Sequence, residues 1–365
     1  MIKGKPAPEV TTLLPYPEPI PAKVFSMNIL IVGLGALGTV HAGLLKQAGH
    51  RVQALIKGPH RDTLRDRTVR VTGIWGDHEA VLDGLHSASG PLQGEAFDLI
   101  ILTVKSYDTA AAIAQVSPLV GNDTLVLVAQ NGYGNYETVA AAVGRAHTLL
   151  SRVIFGAKRL APGRAEVTVI ADATRIGQPD RAVAWERIQA VAEAVNGAGI
   201  PAAAAENITA LLWDKILYNC ALNPLGALLE CTYGQLAERA ATRRLMEAII
   251  GEIFLTAAAQ AIPLHWQTAD DYLHHFYSRL VPPTAGHYPS MYYDLKAGKR
   301  LEIDALNGAI VRLAKQQGRA APVNEAVTCL MKAKEGLSIG HPPGVERPCE
   351  FQNDGSPPVW KDLTD

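Results

Sequence analysis

The sequence predicts an α/β protein in two parts, an N-terminal Rossmann-type parallel-sheet domain followed by an all-α C-terminal domain. Three observations point there. Ile29-Leu30-Ile31-Val32 runs directly into Gly33-Leu34-Gly35-Ala36-Leu37-Gly38. Strand-like and helix-like patterns alternate from Met27 to about Ile200. Beyond that point nearly every periodic segment is helical.

The glycine run is the most specific of the three. The apolar stretch before it reads as a buried strand, and the alanine- and leucine-rich stretch up to Gly49 reads as a helix. Glycines in the G-x-G-x-x-G spacing between strand and helix form the context of a dinucleotide-binding turn. Gly33 permits the turn, Gly35 lets backbone approach a pyrophosphate, and Gly38 lets helix and strand pack closely. The helix start adds unpaired N–H groups and a positive dipole end. Leu34, Ala36 and Leu37 complete the candidate cofactor-binding set. An ordinary glycine turn is the plain alternative.

Cofactor choice is read at the end of the second strand, Arg51-Val52-Gln53-Ala54-Leu55-Ile56. An NAD-preferring site carries an acidic residue there, whereas a cation suits the 2′-phosphate of NADP. Lys57 holds the place, with His60, Arg61 and Arg65 behind it and Asp62 and Asp66 offsetting part of their charge. NADPH is the expected cofactor. A solvated basic loop would look the same.

Bulk properties exclude several classes. At 365 residues the chain exceeds one compact core. Hydrophobic content of 48% and charged content of 19% are those of a soluble globular enzyme. A net charge of −1 offers no field for nucleic acid or an anionic membrane, and no apolar stretch is long enough to span a bilayer. Residues 1–26 hold six prolines and no apolar signal core, so a disordered leader is expected. Cys220, Cys231, Cys329 and Cys349 lack paired metal spacing and are expected to be reduced cytoplasmic thiols. His274-His275 and Asp77-His78-Glu79 lack the i, i+4 spacing of a helical metal pair and read as surface residues. No metal is expected.

Further strands are expected over Phe97–Val104 and Thr124–Ala129, ending in Lys105-Ser106-Tyr107-Asp108 and Gln130-Asn131-Gly132. Ligands of open α/β sheets sit beyond the carboxyl ends of strands, which places Lys105 and Asn131 within reach of one. A helix start and an Asn-Gly turn are equally open readings. A strand-like tract over Ala165–Ile176 and a helix over Ala182–Ala198 precede Gly199-Ile200-Pro201. Helices follow over Asn207–Leu229, Leu236–Ala261, Thr268–Tyr277 and Leu301–Gln317. The expected division is a leader over 1–26, a cofactor domain over 27–203, a helical substrate domain over 204–336 and a tail from Leu337.

The first of these helices carries the second informative pattern. Asn207 suits its N-cap. Lys215, Asn219 and Asn223 recur at i, i+4 and i+8, a narrow polar stripe among apolar residues. Pro224 is expected to bend or interrupt the helix, since its ring displaces the carbonyl four residues back. A ligand pocket and a solvent-facing stripe are both open. In a dry cleft Lys215 would become a usable acid near neutrality, which carbonyl reduction needs as charge develops on oxygen.

Taken together, these motifs resemble the ketopantoate reductase family from Met27 to about Glu335. They are Gly33 to Gly38, Val104-Lys105, Gln130-Asn131-Gly132, Trp213-Asp214-Lys215 with Asn219 and Asn223-Pro224, Pro289-Ser290-Met291 with Asp294, and Glu302-Ile303-Asp304 with Asn307-Gly308. The resemblance implies NADPH-dependent reduction of 2-dehydropantoate to (R)-pantoate, a step towards pantothenate and coenzyme A. It implies Lys215 as proton donor and substrate contacts at Asn131, Asn219, Asn223 and Ser290. Glu302 is implied as the carboxylate that orients the lysine and itself lies near the nicotinamide ribose, and Lys57, Lys105, Asn131 and Ala157 as further cofactor contacts.

A helix-start role for Glu302 and a capping role for Ser290 stay open on residue grounds. Tyr233, His287, Tyr292-Tyr293 and Gly226 depart from the family's usual residues. They keep a second reading in view, the same chemistry on a different 2-oxo acid. A third, a nucleotide-sensing protein without turnover, sits badly with an intact set of site residues. A small 2-oxo acid is the expected partner, and the apolar helical half is compatible with a homodimer.

Overall fold

The computed structural model describes residues 26–57, 64–87 and 96–339. The expected leader up to residue 25, His60, Arg61, Asp62, Cys349 and the tail from residue 340 lie outside the described residues. The strands are β1 (Asn28–Val32), β2 (Arg51–Ile56), β3 (Thr68–Gly73), β4 (His78–Val81), β5 (Gly84–Ser87) and β6 (Leu99–Leu102). They continue with β7 (Leu125–Val128), β8 (Thr148–Arg152), β9 (Phe155–Ala161), β10 (Arg164–Ile170), β11 (Thr174–Gly177) and β12 (Ala202–Ala204).

The main sheet has the order β12-β11-β8-β7-β6-β1-β2-β5. From β5 to β8 every neighbouring pair is parallel. This is the doubly wound order, and its direction of winding reverses between β1 and β6. The crevice at that reversal opens beyond the carboxyl ends of both strands, where the glycine turn and Lys105 lie. β11 joins β8 antiparallel and carries β12 parallel to itself.

Alternation along the central strands explains how the layers assemble. Leu30, Val32, Ile100 and Leu102 share an apolar cluster with Trp213, Leu217, Ile250 and Ile310 of the helical half. Ile29, Ile31 and Ile101 face the other way, against Val40 and Leu44 of the helix Ala36–Gln47 and Val69 and Val71 of β3. One face of the sheet therefore seats the helical half. The other seats the first helix, with a second sheet, β4-β3-β10-β9, beyond it.

That second sheet differs from expectation, as does the tract over Ala165–Ile176, which divides between β10 in the small sheet and β11 in the large one. The division falls at Asp172, whose carboxylate accepts from Arg152 at 2.6 Å and from the Ala173 N–H at 2.7 Å.

The helix Ile208–Leu228 is continuous through Pro224. Proline cannot donate to the Cys220 carbonyl four residues back, and the buried Asn307 donates to it instead at 3.1 Å. Asn207 stands at the N-cap without a capping bond, its amide paired with the His265 ring at 2.8 Å.

The expected helix over Leu236–Ala261 is two, Tyr233–Ala237 and Ala240–Ala259, and Leu301–Gln317 is a 3₁₀ turn at Ile303–Ala305 followed by Asn307–Gln316. A final helix, Pro322–Ile339, carries order into the first residues of the expected tail. Glu252 accepts from the Val323 and Asn324 N–H groups at its start, and near its end Lys334 donates to the Leu228 carbonyl while Glu335 accepts from the Leu301 N–H. No helix among the described residues is long and apolar enough to cross a membrane.

Candidate active site between the sheet and the helices

The glycine turn has the shape a dinucleotide needs. Gly33 has φ +97°, and a Cβ there would come 2.8 Å from the Val104 side chain, so the turn lies directly on the residues after β6. A Cβ on Gly38 would overlap the Gly33 carbonyl oxygen, and Thr103 donates to that same oxygen at 2.6 Å. A Cβ on Gly35 would meet nothing within 4 Å. Helix Ala36–Gln47 begins there, and no side chain caps its first N–H groups. These residues fit a bound dinucleotide.

Lys215 enters the cleft from the middle of helix Ile208–Leu228, which packs against β8. Its ammonium donates to Asn131 Oδ1 at 2.7 Å and to the Val153 carbonyl. Asn131 follows β7 and Val153 follows β8, so two adjacent strand ends grip one amine. Both acceptors are neutral. Burial therefore dominates and, with the Arg152 cation nearby, lowers the lysine to about 8, while the Glu302 charge opposes the shift. Two of its three protons are used, which leaves the third for a ligand.

Asn219 and Asn223 continue the stripe, 9% and 7% exposed. Neither is sealed off as a buried polar group without a partner. Asn223 Oδ1 accepts from the Tyr233 hydroxyl at 2.6 Å.

Lys105 is placed differently. It follows β6 and donates to Asp294 at 2.8 Å and Glu302 at 2.9 Å. Two carboxylates raise its basicity above the usual lysine range, overcoming the burial that lowers it. The other oxygen of Glu302 accepts from the Ser106 N–H at 2.9 Å. Glu302 thus holds Lys105 and not Lys215, contrary to the orienting role implied for it. Both its oxygens are already engaged, and it reaches Lys215 only through its charge. The loop after β7 also docks on the helical half, the Tyr133 N–H donating to the Ala305 carbonyl at 2.7 Å. A Cβ on Gly132 would come 2.5 Å from that same oxygen, so glycine is required beside Asn131.

The remaining expected residues are spread around this centre. Ser290 is the exposed first residue of helix Ser290–Lys296, and Pro289 occupies the cap position. Gly226 lies where a Cβ would come 3.0 Å from the Pro289 ring, so its small size lets the long helix pass beside the Ser290 turn. Lys57 is exposed and paired with Asp108 at 2.7 Å. Ala157 lies in β9, opposite Val167 in the small sheet. His275 packs on Trp266 and His78 bonds Gln47, and no cluster able to hold a metal occurs among the described residues.

Three participants escaped the sequence reading. The Val153 carbonyl is backbone and leaves no sequence signal. Asp294 stood in a motif without a role, and the Tyr233–Asn223 bond joins residues whose proximity depends on the turn between two helices.

Comparison with known proteins matches both halves of the chain to one family. Residues 29–181 match the family model "Ketopantoate reductase PanE/ApbA", and residues 207–335 match its C-terminal counterpart. The chain is 43% identical over 315 residues to the 2-dehydropantoate 2-reductase of Aquifex aeolicus, covering 86% of this chain and 98% of that one. It is 32% identical to the enzyme of the same name from Pyrococcus horikoshii, over 86% and 99% of the two chains.

Among solved structures, a PanE/ApbA family ketopantoate reductase from Ralstonia eutropha is similar with a TM-score of 0.74 at 27% identity, over 86% and 99% of the chains. D-mandelate dehydrogenase with NADH and anilino(oxo)acetate is similar with a TM-score of 0.76 at 25% identity, over the same shares. The resemblance read from the separated motifs is borne out: the chain belongs to the ketopantoate reductase family.

Proposed function

We propose that the protein reduces 2-dehydropantoate to (R)-pantoate with NADPH. The observation that carries this reading is the grip on Lys215, an amine lowered to about 8, held on two neutral oxygens with one proton to spare. The bound nicotinamide would supply hydride to the carbonyl carbon. Lys215 donates its free proton to the carbonyl oxygen as negative charge develops there. Asn131 holds that ammonium in place, and Asn219 and Asn223 bind the polar groups of the substrate further along the helix. Ser290 binds the substrate carboxylate. The glycine turn from Gly33 to Gly38 carries the pyrophosphate, and Ala157 contributes a cofactor contact.

Lys105 keeps its charge beside the cofactor crevice because Asp294 and Glu302 pin it there, and Glu302 favours the protonated form of Lys215 from a distance. Lys57 binds the 2′-phosphate, exchanging Asp108 for it. Steady-state oxidation of NADPH with 2-dehydropantoate tests the proposal. Turnover should exceed that with other 2-oxo acids and with NADH by at least tenfold.

A second reading has one specific observation in its favour, the likeness to D-mandelate dehydrogenase, whose structure contains NADH and an aryl-substituted oxo acid. Preference for a bulky 2-oxo acid with NADH in the same assay would replace the first reading by this one.

A further inference from the structure

Tyr233 is buried against Asn223 of the long helix, without a part in the proposed proton or carboxylate chemistry. It opens helix Tyr233–Ala237, and backbone contacts set its place. Its N–H donates to the His287 carbonyl at 3.1 Å, and the Gly234 N–H donates to the Ala285 carbonyl at 2.8 Å. A Cβ on Gly234 would come within 3.0 Å of Ala285, so the two segments touch closely. The ring stacks on His287 with centroids 6.3 Å apart and meets Tyr218 edge-on at 5.8 Å. Only 6% of the residue is exposed, and its hydroxyl bonds Asn223 Oδ1 at 2.6 Å.

That bond decides what Asn223 can offer. A buried phenol needs an acceptor for its proton, and Asn223 Oδ1 provides it. The adjacent Tyr218 hydroxyl is engaged with Thr284 instead. Turning the Asn223 amide over would set its NH₂ against the phenol and leave the phenol proton without that acceptor. The orientation is therefore fixed, with Oδ1 occupied and the Nδ2 donors left towards the cleft. Asn219, one turn earlier on the same face, has no such lock.

On the reductase reading above, we infer that Tyr233 is a positioning and specificity residue that makes Asn223 a donor-only contact. The substrate must then present an oxygen acceptor at that point. A 2-oxo acid with a hydroxyl beyond its reacting carbonyl satisfies the contact. An alkyl group leaves the amide donors unpaired, and a site built to hydrogen-bond a substrate group discriminates strongly against an analogue that lacks it. An ammonium group, which can only donate, opposes the amide directly.

The test compares kcat/KM for 4-hydroxy-3,3-dimethyl-2-oxobutanoate and 3,3-dimethyl-2-oxobutanoate in the wild type and in Tyr233→Phe, at saturating NADPH. The wild type should favour the hydroxylated acid, and Tyr233→Phe should reduce that ratio about tenfold, mostly through KM for the hydroxylated acid. Asn223→Leu removes the polar contact outright and should remove the preference altogether, which keeps the test decisive if Tyr233→Phe folds poorly. An unchanged ratio in Tyr233→Phe, with the preference lost in Asn223→Leu, overturns the role of Tyr233. Equal use of both acids by the wild type overturns the donor-only subsite. Absence of turnover with every 2-oxo acid overturns the reductase reading itself, and this inference with it.

Discussion

Lys105, at the end of β6, and Lys215, in the middle of the long helix of the other half, carry the same side chain into one cleft with opposite results. Lys105 meets two carboxylates, Asp294 and Glu302, and is held as a permanent cation. Lys215 meets an amide oxygen and a backbone carbonyl, is buried beside Arg152, and falls to about 8. Residue type decides neither behaviour. A lysine becomes a tether where its partners are charged and an acid near neutrality where they are neutral and water is excluded.

The sharpest way to break this contrast is to remove the acid. Lys215→Ala should lower kcat for 2-oxo acid reduction by about 10²–10⁴ while NADPH binding, followed by fluorescence, changes little. Comparable kcat values would end the assignment. The pH profile comes next. A donor that must be protonated is present below about 8 and lost above it, so the reduction rate should be flat towards pH 7 and fall about tenfold per unit well above 8. Arg152→Gln removes a cation that lowers Lys215 and should move that limb to higher pH. Lys105 should leave no limb in this range.

Removing the tether should act on stability as well as cofactor affinity. Lys105→Met leaves Asp294 and Glu302 facing each other, at about 1–2 kcal/mol once solvent access to Lys105 is allowed for. Adding Glu302→Gln should recover part of the lost thermal stability. Gly226→Thr presses on the Pro289 ring, and should cost about 1 kcal/mol and raise KM for the oxo acid. A smaller effect is expected at the exposed Lys57–Asp108 pair. On the proposal that Lys57 binds the 2′-phosphate of NADPH, Lys57→Ala should weaken a preference for NADPH over NADH a few-fold, and Asp108→Asn should strengthen it, because a carboxylate would no longer compete for the lysine.

The sequence made the strand–glycine–helix start legible because two of its three glycines answer a local requirement: a positive φ at Gly33 and close packing at Gly38. The polar stripe of Lys215, Asn219 and Asn223 was legible for the same reason, since helical spacing alone puts the three on one face. The small sheet was not. β3 pairs with β10, more than ninety residues away, and no local pattern announces such a pairing. Pro224 misled in an instructive way. The break it implies locally is prevented by Asn307, which supplies the missing hydrogen bond from another helix.

Residue order by itself therefore determined the doubly wound half, the helical half and the polar stripe of Lys215, Asn219 and Asn223, because periodicity and turn chemistry are local properties. Tertiary structure alone decided that Lys215 rests on two neutral oxygens and is lowered, and which carboxylates hold Lys105. Those outcomes depend on desolvation and on partners from distant elements, and both exist only once the two halves close on each other.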